Sequence, residues 1–386
     1  MAEFASGLSK SMNTMATNET HNTPFRAVHP AEIIKDELMA RSMTQKELAE
    51  RMGMQAPNVT RLLKGENITT SIAQKLENAL GIPADFWMRL QTQYDRDVKD
   101  IAVRDENEKA AIVAENMLSS TLNLAELYKR LKISAVLYVQ EKLQKLEEFL
   151  GFKPLEISNQ GFAQKLSYDF KKSDKSEVDE KNQTTWLTLA YIASRANSPR
   201  KQFKQGNAQL AAHDIAVHAH TGNLKEAEIN DILSKYGIAY SVVPKLEKTP
   251  IDAASMKVGG YPAIITTHRF NDMSRLVFNV LHELGHIEKH MYNESSGIYV
   301  SGDTYSNDSP KEREANLFAQ NMLISQKLWD TMMNSGPING LRFGNIVDQL
   351  RLLSAKNNLD FNIVVWRWKY ESHNYQLRGT RPVPIQ

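Results

Sequence analysis

No cysteine occurs among the 386 residues. Disulfides and thiolate metal ligands are therefore excluded, and any metal must be held by histidine, aspartate or glutamate. No apolar run approaches the roughly 20 residues needed to cross a bilayer, and the N-terminus lacks the apolar core of a secretion signal. Net charge is nearly absent too, +2 at pH 7, so no globally acidic or basic partner is implied. These absences fit a cytoplasmic protein with no membrane partner. A hydrophobic share of 41% over 386 residues is enough for two or three domains with cores of their own.

The densest chemical signal is His282-Glu283-Leu284-Gly285-His286, flanked by Phe278, Leu281 and Ile287. On an α-helix, residues four apart share a face. His282 and His286 can thus offer two imidazoles to one Zn²⁺ ion, while Glu283 is placed to take a proton from a water beside it. Zinc makes such a water acidic enough to deprotonate near neutrality, which is the chemistry of a metallopeptidase. A surface helix that happens to carry two histidines is the bland alternative, and the apolar flanks argue against it.

Zinc needs a third protein ligand and, for catalysis, one open position. Ser309-Pro310 marks a helix start, after which Glu312, Ala315, Asn316 and Ala319 share one face. Glu312 is the expected third ligand, and Asn316 is expected to hold a ligand histidine by hydrogen bonding. The competing reading is a capping box from Ser309 to Glu312. Glu314 is the reserve ligand. His290 is a rival, but three successive turns of one helix span about 12 Å, too far for one tetrahedral ion. His213, His218 and His220 lack a convincing partner spacing and read as partly exposed helix positions.

These two motifs together resemble the ImmA/IrrE family of metallopeptidases over roughly residues 225 to 335, with Glu312-Arg313-Glu314-Ala315-Asn316-Leu317-Phe318-Ala319 as the second. The family's common Leu-Leu-Met-Pro continuation is absent; Asn321-Met322-Leu323-Ile324 is followed by serine. The resemblance implies a zincin-like α+β domain with a small sheet ahead of the active-site helix. Ile238 to Pro244 and Tyr261 to Thr267, after the Gly259-Gly260 turn, read as its strands.

The N-terminal part carries a different pattern. Thr44-x-x-Glu47 is a capping box opening a short helix that stops at Gly53, and a second short helix runs from Gln55 to Gly65. Helix, tight turn and helix is the helix-turn-helix arrangement, whose second helix enters the DNA major groove. Arg61 can pair with guanine and Asn58 with adenine. Gln45 and Lys46 are expected at phosphates, and Gln55, Ala56 and Thr60 complete the candidate DNA-contacting set. Between His29 and Asp95 there are eight basic and nine acidic residues, so attraction to phosphate would be local. This segment, with Ala84-Asp85-Phe86-Trp87-Met88-Arg89-Leu90-Gln91 near its end, resembles HigA-type antitoxins of the XRE/Cro repressor class over residues 29 to 95. The resemblance implies a homodimer on a double-stranded operator and a protein partner, either a substrate or a cognate toxin.

The expected fold is therefore mainly α. A disordered tail (1–25) precedes an all-α helix-turn-helix domain (26–95) and a helical middle region (96–184). A metallopeptidase-like domain (185–335) and a helix-strand extension (336–386) follow. Residues 95–109 are charge-rich and read as a linker or solvated helix. Leu127, Leu131, Leu146 and Leu150 read as core or dimer interface, Lys171 to Gln183 as an exposed polar loop, and Phe361 to Trp368 as a strand.

Overall fold

The computed structural model describes residues 23–160, 178–291, 298–302, 309–335 and 343–386. They fall into two compact units, one holding residues up to 113 with 138–140, the other holding 114–137 and 141–386. The tail expected at 1–25 lies outside the described residues as far as residue 22, as does most of the loop expected at 171–183. No helix among the described residues is long and apolar enough to cross a membrane.

The first unit is all helical. Helices α1 (Pro30–Ala40), α2 (Gln45–Arg51), α3 (Ala56–Leu63) and α4 (Thr70–Leu80) close around Ile34, Leu48, Val59, Leu62 and Leu76, with Trp87 from the next helix, α5 (Ala84–Ser119). The capping box forms as expected: the Glu47 backbone N–H donates to Thr44 Oγ1 at 3.2 Å, and the Thr44 N–H donates to the Glu47 carboxylate at 2.7 Å. The charge-rich stretch at 95–109 belongs to α5, as a solvated helix.

The second unit is a sheet between two helical layers. Strands β1 (Ala239–Val242), β2 (Ala253–Val258), β3 (Tyr261–Thr266) and β4 (Ile298–Ser301) lie in the order β1-β3-β2-β4, parallel between β1 and β3 and antiparallel elsewhere. Alternation along the strands feeds two cores. Ala254, Met256, Ala263 and Ile265 pack with α6 (Leu124–Leu131), α7 (Val139–Leu150) and α8 (Glu180–Ala196), which bring Leu127, Leu131, Leu146, Leu150 and Trp186. Tyr240 and Ile264 face the other core. That core is built from α9 (Asn207–Ala219), α10 (Glu226–Lys235), α11 (Met273–Lys289), α12 (Pro310–Leu323), α13 (Gln326–Asn334), α14 (Phe343–Lys356) and α15 (Phe361–Ser372).

Three expectations change. Residues 361–368 form a helix and not a strand. Asp360 caps it, its carboxylate accepting from the backbone of Asn362 and Ile363 at 2.9 and 3.1 Å, and the buried positions Ile363, Val364 and Arg367 recur at helical spacing. Tertiary burial overrides the β-preference of a Val- and Trp-rich run. Residues 180–183 open α8 instead of extending a loop, with Asn182 and Gln183 buried. The divisions expected at 184 and 335 cut through a single unit, because the middle helices cover one face of the sheet and the C-terminal helices complete the core on the other.

Arg367 shows how firmly the C-terminal helix is built in. The residue is 1% exposed, and its side chain donates to the backbone carbonyls of Gln320 and Ile324 at the end of α12, to Gln326 Oε1 and to Glu371 Oε1. It thus satisfies carbonyls that a helix end leaves without partners. Arg367→Leu would strand these acceptors and a carboxylate, costing about 3–5 kcal/mol of stability. Urea unfolding of the variant checks this; a loss below about 1 kcal/mol would show that water replaces the guanidinium.

Candidate metal centre

Helix α11 runs as one apolar rod, Leu276, Val280, Leu281, Leu284 and Ile287 all being buried. Helix α12 crosses it at Gly285. A side chain there would meet Ala315 Cα at 3.1 Å and Phe318 Cβ at 3.2 Å. Glycine on one helix and alanine on the other let the backbones come close, and this brings Glu312 to the two histidines. His282 Nε2 and His286 Nε2 are 3.0 Å apart, and each lies 3.1 Å from a Glu312 carboxylate oxygen. Ser309 caps α12 without a side-chain hydrogen bond, so the Glu312 carboxylate serves the histidines and not a capping box.

Each ring is fixed from behind. His282 Nδ1 donates to Asn316 Oδ1 at 2.9 Å; with the proton there, the Nε2 lone pair points at the cluster. His286 stacks on Tyr299, the centroids 4.5 Å apart and the planes 11° from parallel. Burial pushes the His286 pKa down to about 4 and keeps its ring neutral. For His282 burial acts in the same sense, but the hydrogen bond and charge of Glu312 outweigh it and raise the pKa. Burial would raise Glu312 as well; the two imidazoles instead hold its carboxyl well below the usual range. Two neutral-capable imidazoles and a carboxylate, with ligand atoms mutually within 4.8 Å, are the one group of this kind among the described residues. Donor type, tautomer and spacing fit a divalent cation of the zinc class.

The other candidates lie elsewhere. Glu314 is largely exposed and lies 3.8 Å from His290, outside the cluster. His290 interacts with the Lys311 carbonyl at 3.3 Å and stays outside the cluster. His213 and His218 are exposed. His220 accepts from the Asp360 N–H at 3.2 Å and donates to the Leu323 carbonyl at 2.7 Å, so it ties three helix ends together.

Glu283 is fully buried, and its carboxylate is held by hydroxyls of the sheet. Ser255 Oγ of β2 and Ser301 Oγ of β4 each donate to one of its carboxylate oxygens at 2.6 Å. Burial is the main cause that pushes its pKa up to about 7. Neither serine stood out in the sequence. The Gly259-Gly260 pair, which closes a hairpin between β2 and β3, was the signal that could have revealed β2. Ser301 also lines a cleft of about 610 Å³ that takes in His282, Glu312 and Asn316. The cleft includes Arg275, whose guanidinium is 2.6 Å from Asp252, and Trp366 and Tyr370 of α15.

In the first unit, Gln45, Lys46, Gln55, Ala56 and Arg61 are exposed, and Asn58 and Thr60 half-buried. Gln55 precedes α3 without capping it, so its amide remains on the surface. Arg61 Nη2 donates to Asn58 Oδ1 at 2.9 Å, and Thr60 donates to the Ala56 carbonyl at 3.0 Å. Val59, Leu62 and Leu63 bury the opposite face of α3.

Two outcomes follow from this geometry. Gly285→Ala gains about 1 kcal/mol of helix propensity, but its methyl meets the backbone of Ala315, and overpacking costs about 1–3 kcal/mol. We expect a small net loss of stability and an affinity for zinc reduced about 10-fold or more, read by chelator competition; unchanged affinity would show that the close approach does not set the ligand spacing. The second outcome concerns pH. Because burial raises the Glu283 pKa above its ordinary value, between about pH 4.5 and 7 the folded protein holds a proton that the unfolded chain has released. Stability is therefore lost as pH rises through that window. Metal-free Glu283→Gln should be up to ~3 kcal/mol more stable than the parent at pH 7 and equal to it below about pH 4.5. Urea melts showing the gain at both pH values would contradict this.

The comparisons with known proteins divide the chain in the same way. A helix-turn-helix family model matches residues 34–87, and a peptidase-family model described as the IrrE N-terminal-like domain matches residues 246–336. The antitoxin HigA-1 of Vibrio cholerae serotype O1 is 36% identical over 74 residues, which are 19% of this chain and 70% of that protein. Among solved structures, an addiction module antidote protein of a HigA family from Coxiella burnetii shares 31% identity, with 22% of this chain and 95% of that chain covered and a TM-score of 0.21. The Pseudomonas aeruginosa antitoxin HigA with higBA promoter shares 30% identity over 21% and 90% of the two chains, with a TM-score of 0.20. The chain thus belongs to the HigA family of helix-turn-helix antitoxins through its N-terminal part and carries an IrrE N-terminal-like peptidase domain in its C-terminal part.

Proposed function

We propose that this chain is a cytoplasmic transcriptional regulator that binds a double-stranded operator and hydrolyses a peptide bond in a protein partner. Zinc is the expected metal, with His282, His286 and Glu312 as its ligands. The observation that carries this reading is the meeting of these three side chains within 4.8 Å beside an open cleft, with Asn316 directing the His282 lone pair inward. When bound, zinc would polarise a carbonyl and acidify a water. Glu283, next in sequence to His282 and held by the hydroxyls of Ser255 and Ser301, would be the general base. Ser301, which touches both that carboxylate and the cleft, holds the acceptor oxygen in place.

A second reading has one observation in its favour. Both Glu283 oxygens already accept hydroxyl hydrogens, and the residue has no exposed surface. The chain would then be a HigA-like antitoxin whose metal domain senses a signal or binds a cognate toxin without cutting it.

The two readings separate on cleavage. The zinc-loaded parent is incubated with proteins co-purified from its own cells, and new N-termini are read by mass spectrometry. Glu283→Gln should retain zinc and lower the yield of new termini by roughly 10² or more. Equal yields, or none from either protein, would favour the sensing antitoxin.

The DNA-binding half has its own test. A homodimer would present two copies of α3 to half-sites about one DNA turn apart. Arg61 must leave Asn58 to read a base, so Arg61→Ala should weaken specific binding by about 1–3 kcal/mol and relax preference at one position. Lys46→Ala should weaken all sequences alike and lower the salt dependence by about one ion. Titrations across salt check both; a parent without sequence preference would contradict the operator assignment.

A further inference from the structure

Next to the metal cluster lies a feature that the peptidase chemistry does not use. Three aromatic side chains pack against one another. The Phe278 ring is 4.1 Å from that of Trp366 and 5.3 Å from that of Tyr370, and the rings of Trp366 and Tyr370 stack at 5.3 Å and 20°. Phe278 lies one helical turn before His282, the two rings 6.3 Å apart. Phe278 is buried, whereas Trp366 and Tyr370 are half-buried, and all three line the same cleft as His282 and Glu312. Only Phe278 falls within the segment that the peptidase-family model matches, residues 246–336. Trp366 and Tyr370 are added by α15, four residues apart and hence on one face of that helix.

We propose that Trp366 and Tyr370 are specificity-determining residues, forming with Phe278 a wall that selects polypeptides with an aromatic or large aliphatic side chain beside the bond to be cut. The inference rests on the metallopeptidase reading of the cleft. The rest of the cleft lining is largely polar, with Asn279, Asn316 and His373 among it, so these partly open aromatic faces form its apolar side, and such faces are how sites recognise apolar side chains. The cation in the same cleft does not redirect this choice toward an acidic side chain, since Arg275 is paired with Asp252 at 2.6 Å. The wall is also held rigidly relative to the metal ligands. Arg367, between the two aromatics, is anchored on carbonyls at the end of α12, the helix that carries Glu312. A rigid surface loses little by ordering when a side chain docks on it.

The test uses the zinc-loaded full chain and two probes that bind zinc through the same group, acetohydroxamate and phenylalanine hydroxamate, with affinities measured by calorimetry. The parent should bind the aromatic probe about 10-fold or more tighter, the scale on which an apolar pocket discriminates. Trp366→Ala and, independently, Tyr370→Ala should bring the two affinities to within about 3-fold while zinc content and acetohydroxamate binding stay near the parent's. A preference that survives in both variants, or is absent from the parent while both probes bind, overturns the wall. A parent that holds no zinc overturns the metal assignment beneath it. A zinc-loaded parent that binds neither probe shows a closed site and overturns both.

Discussion

The arrangement of the second unit depends on how closely α11 and α12 approach at Gly285. Their separation sets the distance from Glu312 to His282 and His286, at 3.1 Å in both cases. Any side chain at residue 285 would press on the Ala315 backbone. Interiors are packed like crystals and cannot absorb such an intrusion locally. The approach thus couples core packing to ligand geometry: the small residues that let two helices touch also decide which carboxylate reaches the imidazoles.

The sheet plays the complementary part. Strands β2 and β4 are paired so that Ala253 lies opposite Ser301 and Ser255 opposite Tyr299. This register places two serine hydroxyls on Glu283 and one tyrosine ring on His286. A buried carboxylate without partners would cost several kcal/mol; two hydroxyl hydrogen bonds offset part of that, and the remainder appears as a raised pKa. One helix therefore presents two faces with different jobs. His282 and His286 look toward α12 and the cleft, and Glu283 looks toward the sheet.

The sequence was legible where chemistry follows a helical period within one element. His282, Glu283 and His286 could be ordered by phase along α11, and the phase shared by Glu312, Ala315 and Asn316 favoured Glu312 over Glu314. The helix-turn-helix was legible because its caps and stops are local, from Thr44 and Glu47 to Gly53. What depends on pairing between distant segments was not. Ser255 and Ser301 lie 46 residues apart and meet Glu283 only through strand register. Trp366 and Tyr370 were hidden for another reason. Read as a strand ending at Trp368, Trp366 and Trp368 would share a face and Tyr370 would lie beyond it; in the observed helix, Trp366 and Tyr370 face the cleft together and Trp368 does not line it. Local β-preference and global packing disagree there, and packing prevails.

X-ray absorption at the zinc edge, on the zinc-loaded full chain, reads the ligand set itself. The expected shell is two imidazoles and one carboxylate from the protein with one further position open, the carboxylate being lost in Glu312→Ala. A shell with a third imidazole, as His290 would supply, or a carboxylate that persists in Glu312→Ala, would contradict it.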